Sequence, residues 1–518
     1  MYPPEQLANL PPELRAYIRA LEGRAAIDQE QIGALQQRVS FLEDQFRLAQ
    51  LKRFAPSSEK LGAQGCLFNE AEQDAAAFPE VEDEGEEDTP KVPSRKRGRR
   101  ALPVHLPRKR VEHDLPDAEK VCACCQGALH RMGEETSEQL DIIPGKVQVL
   151  QHVRFKYACR HGESSKIVTS PMPPQPIPGS NASAGTVATI LTAKYADGMP
   201  LYRQHDWLLR GDVDIARGTL AQWCIKAGVL LTPLYAALHQ ELLKNQFIHG
   251  DETKVQVLNE AGRKAQNTSY MWVYRTAVGS ERPVVLFEYQ PGRGHEHPQR
   301  FLNGYEGAVM TDGYAAWRML AGIKHLGCMA HVRRRFDEAL KAQKIPSGRA
   351  KEALDMIGKL YHIEATVKKK PPPEGSTLFD EIYRWRQEKS RPILDALHTW
   401  LIKNQAEVMP QSLIGKAISY ALGQWLYLYR YIDDGRAPID NNLIERDIRP
   451  FAIGRKAWMF SSSVAGADAS AILYSLMLTC RACDIEPYAY LRHVLTELPK
   501  RQAGAGVVDL LPFHFAIS

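Results

Sequence analysis

Phe247-Ile-His-Gly-Asp-Glu-Thr-Lys-Val-Gln-Val-Leu258 is the stretch that decides the fold. Upstream of it, apolar residues recur at helical spacing. Here they alternate, and in an extended strand that alternation puts Asp251, Thr253, Val255 and Val257 on one face. A carboxylate in line with apolar residues costs energy unless a cation compensates it, so Asp251 reads as a candidate metal ligand. Runs rich in β-branched and aromatic residues follow at 269–276 and 283–289, separated by short turns, and the three segments read as an antiparallel meander.

Beyond the meander the pattern predicts a helix at 298–302, a strand at 307–311, a helix at 315–321, a strand at 324–330 and a helix at 333–341. Three hairpin-linked strands followed by strand, helix, strand, helix is the ribonuclease H-like order. Asp312 then ends the fourth strand, just before Gly313 permits a turn. A third acid, Glu445, lies in Asp-Asn-Asn-Leu-Ile-Glu-Arg-Asp-Ile-Arg-Pro at 440–450. On a helix Asn441, Glu445 and Arg449 form one row, with Asn442 and Arg446 beside it, an arrangement suited to a metal next to phosphates. A surface helix with intrahelical ion pairs has the same pattern. The helix-rich stretch 352–428, carrying Trp385, Trp400 and Trp425, reads as an insertion between the second and third acids. Two strand-borne Asp residues and a helix-borne Glu are a carboxylate set able to hold two divalent metals for phosphoryl transfer.

The N-terminal segments read as equipment for association and DNA contact. With Ile18, Ala25, Ile32, Val39 and Phe46 at a, positions d hold Leu21, Asp28, Leu35, Leu42 and Ala49, a heptad seam that only Asp28 interrupts. A chain rich in Glu and Asp from Glu70 to Asp88 gives way to Arg95, Lys96, Arg97, Arg99 and Arg100, a basic run able to follow phosphates. Cys122 and Cys125 have zinc-knuckle spacing and Cys159 is a third candidate ligand. The fourth is open between His161 and His130, because Gly162 stands where a second Cys-x-x-Cys would end. Short helices after 180, interrupted at Gly211, fit either a helix-turn-helix or an ordinary bundle.

The bulk numbers agree with a multidomain protein. The chain has 518 residues, a mild net charge of +5 and nine cysteines, an odd and scattered set unlike a disulfide framework. No apolar run or signal peptide stands out, so a soluble, unexported, cytoplasmic protein is expected.

Together these motifs resemble the DDE transposases of the bacterial insertion sequence sixty-six family. The likeness rests on Ser-Ser-Glu-Lys-Leu at 57–61, Leu-Pro-Val-His-Leu-Pro at 102–107 and Lys-Tyr-Ala-Asp-Gly-Met-Pro-Leu-Tyr-Arg-Gln at 194–204. It rests equally on Gly-Asp-Glu-Thr at 250–253, Thr-Asp-Gly-Tyr at 311–314, Gly-Cys-Met-Ala-His-Val-Arg-Arg-Arg-Phe at 327–336 and the stretch 440–458. The resemblance implies catalytic roles for Asp251, Asp312 and Glu445 with two Mg²⁺ or Mn²⁺ ions, and cutting and joining of DNA ends. Rival readings are a structure-specific nuclease and a non-catalytic DNA-binding regulator.

The expected arrangement is multidomain α+β: a coiled-coil helix at 1–54, a flexible linker at 55–112, a zinc-ribbon-like module at 113–168 and a helix-turn-helix at 180–244. A ribonuclease H-like core at 245–344 and 431–480 is split by a helical insertion at 345–430 and followed by a helical tail at 481–518. Arg446, Arg449, Arg455 and Lys456 join the basic run as expected DNA contacts. One structural zinc is expected on Cys122, Cys125, Cys159 and His161. Homo-oligomers and accessory proteins of the same element are the expected partners besides DNA. His331 is expected to serve the active site or the packing around it, not zinc.

Overall fold

The computed structural model describes residues 11–54, 147–152, 156–158, 167–169, 172–343, 348–502 and 504–515. The chain divides into two units, 78–171 and the remainder. The basic run and the expected zinc ligands Cys122, Cys125, Cys159 and His161, with the reserve His130, lie outside the described residues.

The first helix, α1 (Pro12–Phe54), is 43 residues long. Its expected seam residues Leu21, Ile32, Leu35, Val39, Leu42 and Phe46 are all exposed. In the smaller unit β1 (Lys156–Ala158) pairs antiparallel with β2 (Ile167–Thr169). Residues 147–152 carry no strand.

In the larger unit α2 (Ala184–Tyr195) and α3 (Leu201–Leu209) lead into α4 (Arg217–Leu243), which runs for 27 residues through Pro233. The third helix is thus far longer than a minimal helix-turn-helix requires. Its buried face, Leu220, Leu231, Leu234 and Leu238, shares one apolar core with the sheet that follows, so these helices are built into the body of the protein.

That sheet is organised around β3 (Phe247–Asn259), with β4 (Thr268–Thr276) and β5 (Val285–Gln290) antiparallel on one side. After α5 (Glu296–Phe301), β6 (Ala308–Thr311) pairs parallel to the start of β3. The short α6 (Ala315–Arg318) returns to β7 (Lys324–Gly327), parallel to β6. The strand order is β5-β4-β3-β6-β7. β7 ends four residues in, where the reading from sequence extends it to 330, because Met329 already begins α7 (Met329–Lys341).

The insertion consists of α8 (Arg349–Lys369), α9 (Leu378–Trp385), a π-helical turn at Arg386–Ser390, α10 (Arg391–Glu407) and α11 (Leu413–Tyr429). It packs a second apolar core, with Phe336, Ile357, Leu360, Leu394, Leu397 and Ile418 against Met310 and Leu326 of the sheet. The Arg386 guanidinium closes this region from inside. It donates to both Glu364 carboxylate oxygens, at 2.7 and 2.8 Å, and to the carbonyls of Tyr431, Asp434 and Ala437.

The chain then re-enters the first core with α12 (Asn442–Trp458), β8 (Ser461–Ser463) and α13 (Val464–Ala482). β8 pairs parallel with the far end of β3, beyond the reach of β6. α13 lies along the outer strand: Val285 and Phe287 of β5 donate their backbone N–H groups to Thr479 Oγ1 and Ser475 Oγ at 3.0 and 2.8 Å. On the opposite edge Arg430 Nη1 donates to the His325 carbonyl of β7 at 3.1 Å. The last helix, α14 (Pro487–Glu497), buries Tyr490, Leu491, Val494 and Leu495 in the first core, so the expected tail is a docked element.

Candidate active site

Asp251 sits at the middle of β3, where the strand passes from both faces covered to one face covered. Gly250 precedes it because a Cβ there would lie 2.5 Å from the Trp317 ring. The Asp251 carboxylate accepts a hydrogen bond from the Glu252 backbone N–H at 2.8 Å. Burial pushes its pKa well above the usual carboxylate range, and the charges of Glu252, Asp312 and Glu445 push it in the same direction. Two acids remote in sequence, Asp312 and Glu445, therefore act together with the adjacent Glu252 on one carboxyl group.

Asp312 follows β6 and is fixed by its own turn and by the insertion. Its Oδ1 accepts from the Tyr314 N–H at 2.8 Å, and its carbonyl accepts from the Tyr420 hydroxyl of α11 at 2.6 Å. Gly313 adopts φ +89°, and a Cβ there would stand 2.8 Å from Gln424 Oε1, so both the backbone conformation and the space demand glycine.

Glu445 lies in the first turn of α12, where the helix dipole favours a negative charge. His331 Nε2 is 3.9 Å from one of its carboxylate oxygens and Arg334 Nη2 is 3.5 Å from the other. Burial, and then the neighbouring Arg334, push the His331 pKa down to about 4. His331 thus stands beside Glu445.

Other residues here lack an equally clear sequence signal. Glu252 is buried on the strand face opposite Asp251, paired with Arg293 and accepting from Trp317 Nε1 at 2.9 Å. Burial raises its pKa, against the pull of Arg293. Asn441 is fully buried. Its Oδ1 accepts from His249 Nδ1 at 2.9 Å, its Nδ2 donates to the Gly250 carbonyl at 3.1 Å, and its N–H donates to Cys328 Sγ at 3.1 Å. The residue expected to face phosphates from the Glu445 row is instead the strut that joins β3, the start of α7 and α12. The alternation that singles out Asp251 also puts His249 on the same strand face, and this is the signal that could have found it.

Of the expected DNA-contacting residues on α12, Arg446 and Lys456 are exposed and Arg449 is half-buried. Arg455 turns inward, its guanidinium donating to Thr253 Oγ1 at 3.2 Å and to the Lys254 carbonyl. It braces α12 on β3. Arg275 of β4 and Asp447 of α12 form a second, largely buried brace.

Among the described residues no group of three or more His, Cys, Asp or Glu side chains is arranged to hold one metal ion. The donor set still suits Mg²⁺, which keeps its waters and takes one or two carboxylates plus substrate phosphates in place of an all-protein cage. Such an ion would meet Asp251 with no cation hydrogen-bonded to it and with three acids in its field.

A mixed sheet with acids converging from two strands and a helix defines a class of carboxylate-site proteins, and sequence comparison gives the family. The family model described as Transposase IS66 family matches residues 179–469, more than half of the chain, so this protein belongs to the IS66 transposase family. The zinc-finger binding domain of transposase IS66 matches 119–161, a span that contains Cys122, Cys125, Cys159 and His161. Transposase C of IS166 homeodomain matches 41–111, which includes the basic run, and the IS66 C-terminal element matches 475–513.

Two similar proteins are y4jD and y4hP of Sinorhizobium fredii, both described as uncharacterized. The first is 32% identical over 430 residues, covering 80% of this chain and 81% of its own. The second is 30% identical over 439 residues, covering 80% and 77%. The family implies DNA as partner and a divalent metal, and the zinc-finger match implies zinc binding. Among the described residues no helix is long and apolar enough to cross a membrane.

Proposed function

We propose that this chain is a DDE transposase that cuts the ends of its mobile element and joins the freed 3′ ends to target DNA. The observation that carries the reading is the convergence of Asp312 and Glu445, whose charges both act on the Asp251 carboxyl, in a chain whose residues 179–469 match the transposase family model. Asp251, Asp312 and Glu445 would hold two divalent ions, Mg²⁺ or Mn²⁺. When bound, the ions supply activation of an attacking water or 3′-hydroxyl and stabilisation of the leaving oxygen. Asp251 offers its carboxylate from a strand, Asp312 is steadied by Tyr420, and Glu445 is positioned by the Asn441 strut and balanced by His331 and Arg334. The strand order β5-β4-β3-β6-β7, with three antiparallel strands and then two parallel ones, supports a ribonuclease H-like core interrupted by the insertion.

Around this core, Cys122, Cys125 and Cys159 with His161 would hold one structural zinc, and Arg95, Lys96, Arg97, Arg99 and Arg100 would follow phosphates alongside Arg446, Arg449 and Lys456. Two copies of α1 would cover the exposed heptad seam, making the protein a homo-oligomer. Deleting residues 1–50 should then lower the mass found by light scattering.

The deciding experiment incubates the full-length protein with labelled DNA carrying the element's ends, a target plasmid and Mg²⁺. Joined products that disappear with chelator support a transposase. Cleavage without joining would make it a nuclease, and binding without either would make it a regulator.

A further inference from the structure

The insertion places two arginines beside Asp312 in an unusual state. The guanidinium carbon of Arg335 of α7 lies over the Tyr420 ring, 4.0 Å from its centre, and that of Arg318 at the end of α6 lies over Tyr427, 4.9 Å from the ring centre. Three other arginines near the acids are engaged: Arg334 with Glu445, Arg293 with Glu252, Arg455 with Thr253 and Lys254. Arg318 and Arg335 have neither a carboxylate nor a hydrogen-bond acceptor among the described residues, and Arg318 Nε and Nη2 are buried without a partner.

The two rings belong to one helix, α11, and Tyr420 is the residue whose hydroxyl holds the Asp312 carbonyl. A guanidinium held over an aromatic ring has its N–H donors already ordered, and the exposed Arg335 presents them where a phosphate can be gripped. Burying Arg318 Nε and Nη2 with no acceptor is costly unless an anion arrives with the substrate.

We propose that Arg318 and Arg335, held on Tyr427 and Tyr420, clamp the backbone phosphates of the DNA strand that reacts at Asp312. This rests on the DNA-cutting role proposed above and assigns the insertion a part in it: it grips the reacting strand as well as carrying Asp312.

The test uses the full-length protein with Asp251→Asn to prevent turnover, and measures binding to duplex DNA of the element's end across a salt series. With Arg318→Gln and Arg335→Gln together, the slope of log affinity against log salt should flatten by about 1.8, the value for two lost phosphate contacts on duplex DNA. Arg335 is exposed, so Arg335→Gln alone cannot act through misfolding of a buried site; it should flatten the slope by about 0.9.

Neutral methylphosphonates flanking the cleavage position should weaken binding of the protein that keeps both arginines, and have little further effect on the double variant, because the same contact is removed twice. An unchanged slope, or effects of protein and DNA changes that simply add, would overturn the clamp. If Asp251→Asn cleaves as well as wild type, the catalytic reading falls and the clamp falls with it; if it is inactive and the slope is unchanged, the clamp alone is wrong.

Discussion

The two apolar cores of the larger unit are built differently, and the acids stand where they meet. The first, between the sheet and α4, α12 and α13, is closed by apolar side chains, with Ser475 and Thr479 satisfying backbone groups of β5. The second, inside the insertion, closes on a buried ion pair, Arg386 with Glu364. β3 serves both: Phe247 packs in the second core and Ile248 in the first. Glu445 rides on a helix whose Ile444, Ile448 and Phe451 belong to the first core, while Asp312 is held by Tyr420 on a helix of the second. A site assembled in this way needs both cores intact. The insertion is therefore a supporting wall of the site and not a spacer.

The sharpest break in this picture is to remove an acid from either side. Asp251→Asn, Asp312→Asn or Glu445→Gln should each reduce end cleavage by more than about 100-fold, since even partners one shell outside a metal's ligands cost 10–100-fold. End binding should be largely kept. A variant that cleaves like wild type takes its acid out of the set.

Next in size is the ion pair of the second core. Arg386→Ala strands the Glu364 charge and should cost about 3–5 kcal/mol in denaturant unfolding, whereas Arg386→Met with Glu364→Leu should recover most of that. A single-variant cost below about 1 kcal/mol, the value of a solvent-exposed pair, would mean that the second core does not depend on it.

Asn441→Ala probes the seam between the cores. Cleavage should fall by about 10–100-fold and the Mg²⁺ needed for half-maximal rate should rise, because the strut sets the spacing of Asp251 and Glu445. Stability loss with an unchanged metal requirement would make Asn441 only a packing residue.

The smallest effect belongs to the first core. Ser475→Ala strands the buried Phe287 N–H and should cost about 1–3 kcal/mol, and leave cleavage unchanged. A cleavage defect there would show that the cores are less independent than their packing suggests.

Much of this was legible in the sequence because period-two alternation is a local signal. It marked β3 and Asp251, and the Asp-Gly pair marked the turn at Asp312. The rest depended on contacts between distant segments. Asn441 reads as a phosphate-facing amide on a helical wheel, but it lies at the N-terminal boundary of α12, where its side chain reaches back to Gly250. Arg455 reads as a DNA contact from charge alone, yet β3 offers it Thr253 Oγ1 and a carbonyl. The length of α4 was hidden by Pro233, and the integration of α2 to α4 with the sheet by the long interval before α13 returns, where Gly228 meets Ala469.

The outer strands of the sheet have a consequence for how copies of this protein come together. The N–H groups of Val285 and Phe287 in β5 already donate to hydroxyls of α13, and the His325 carbonyl in β7 already accepts from Arg430. An incoming strand from another chain would have to displace a packed helix on one side and a guanidinium on the other. Edge-to-edge stacking, the usual hazard of an open sheet, is thereby discouraged. Among the described residues the exposed seam of α1 is the surface that the proposed pairing of copies would use, and such pairing leaves both edges of the sheet as they are.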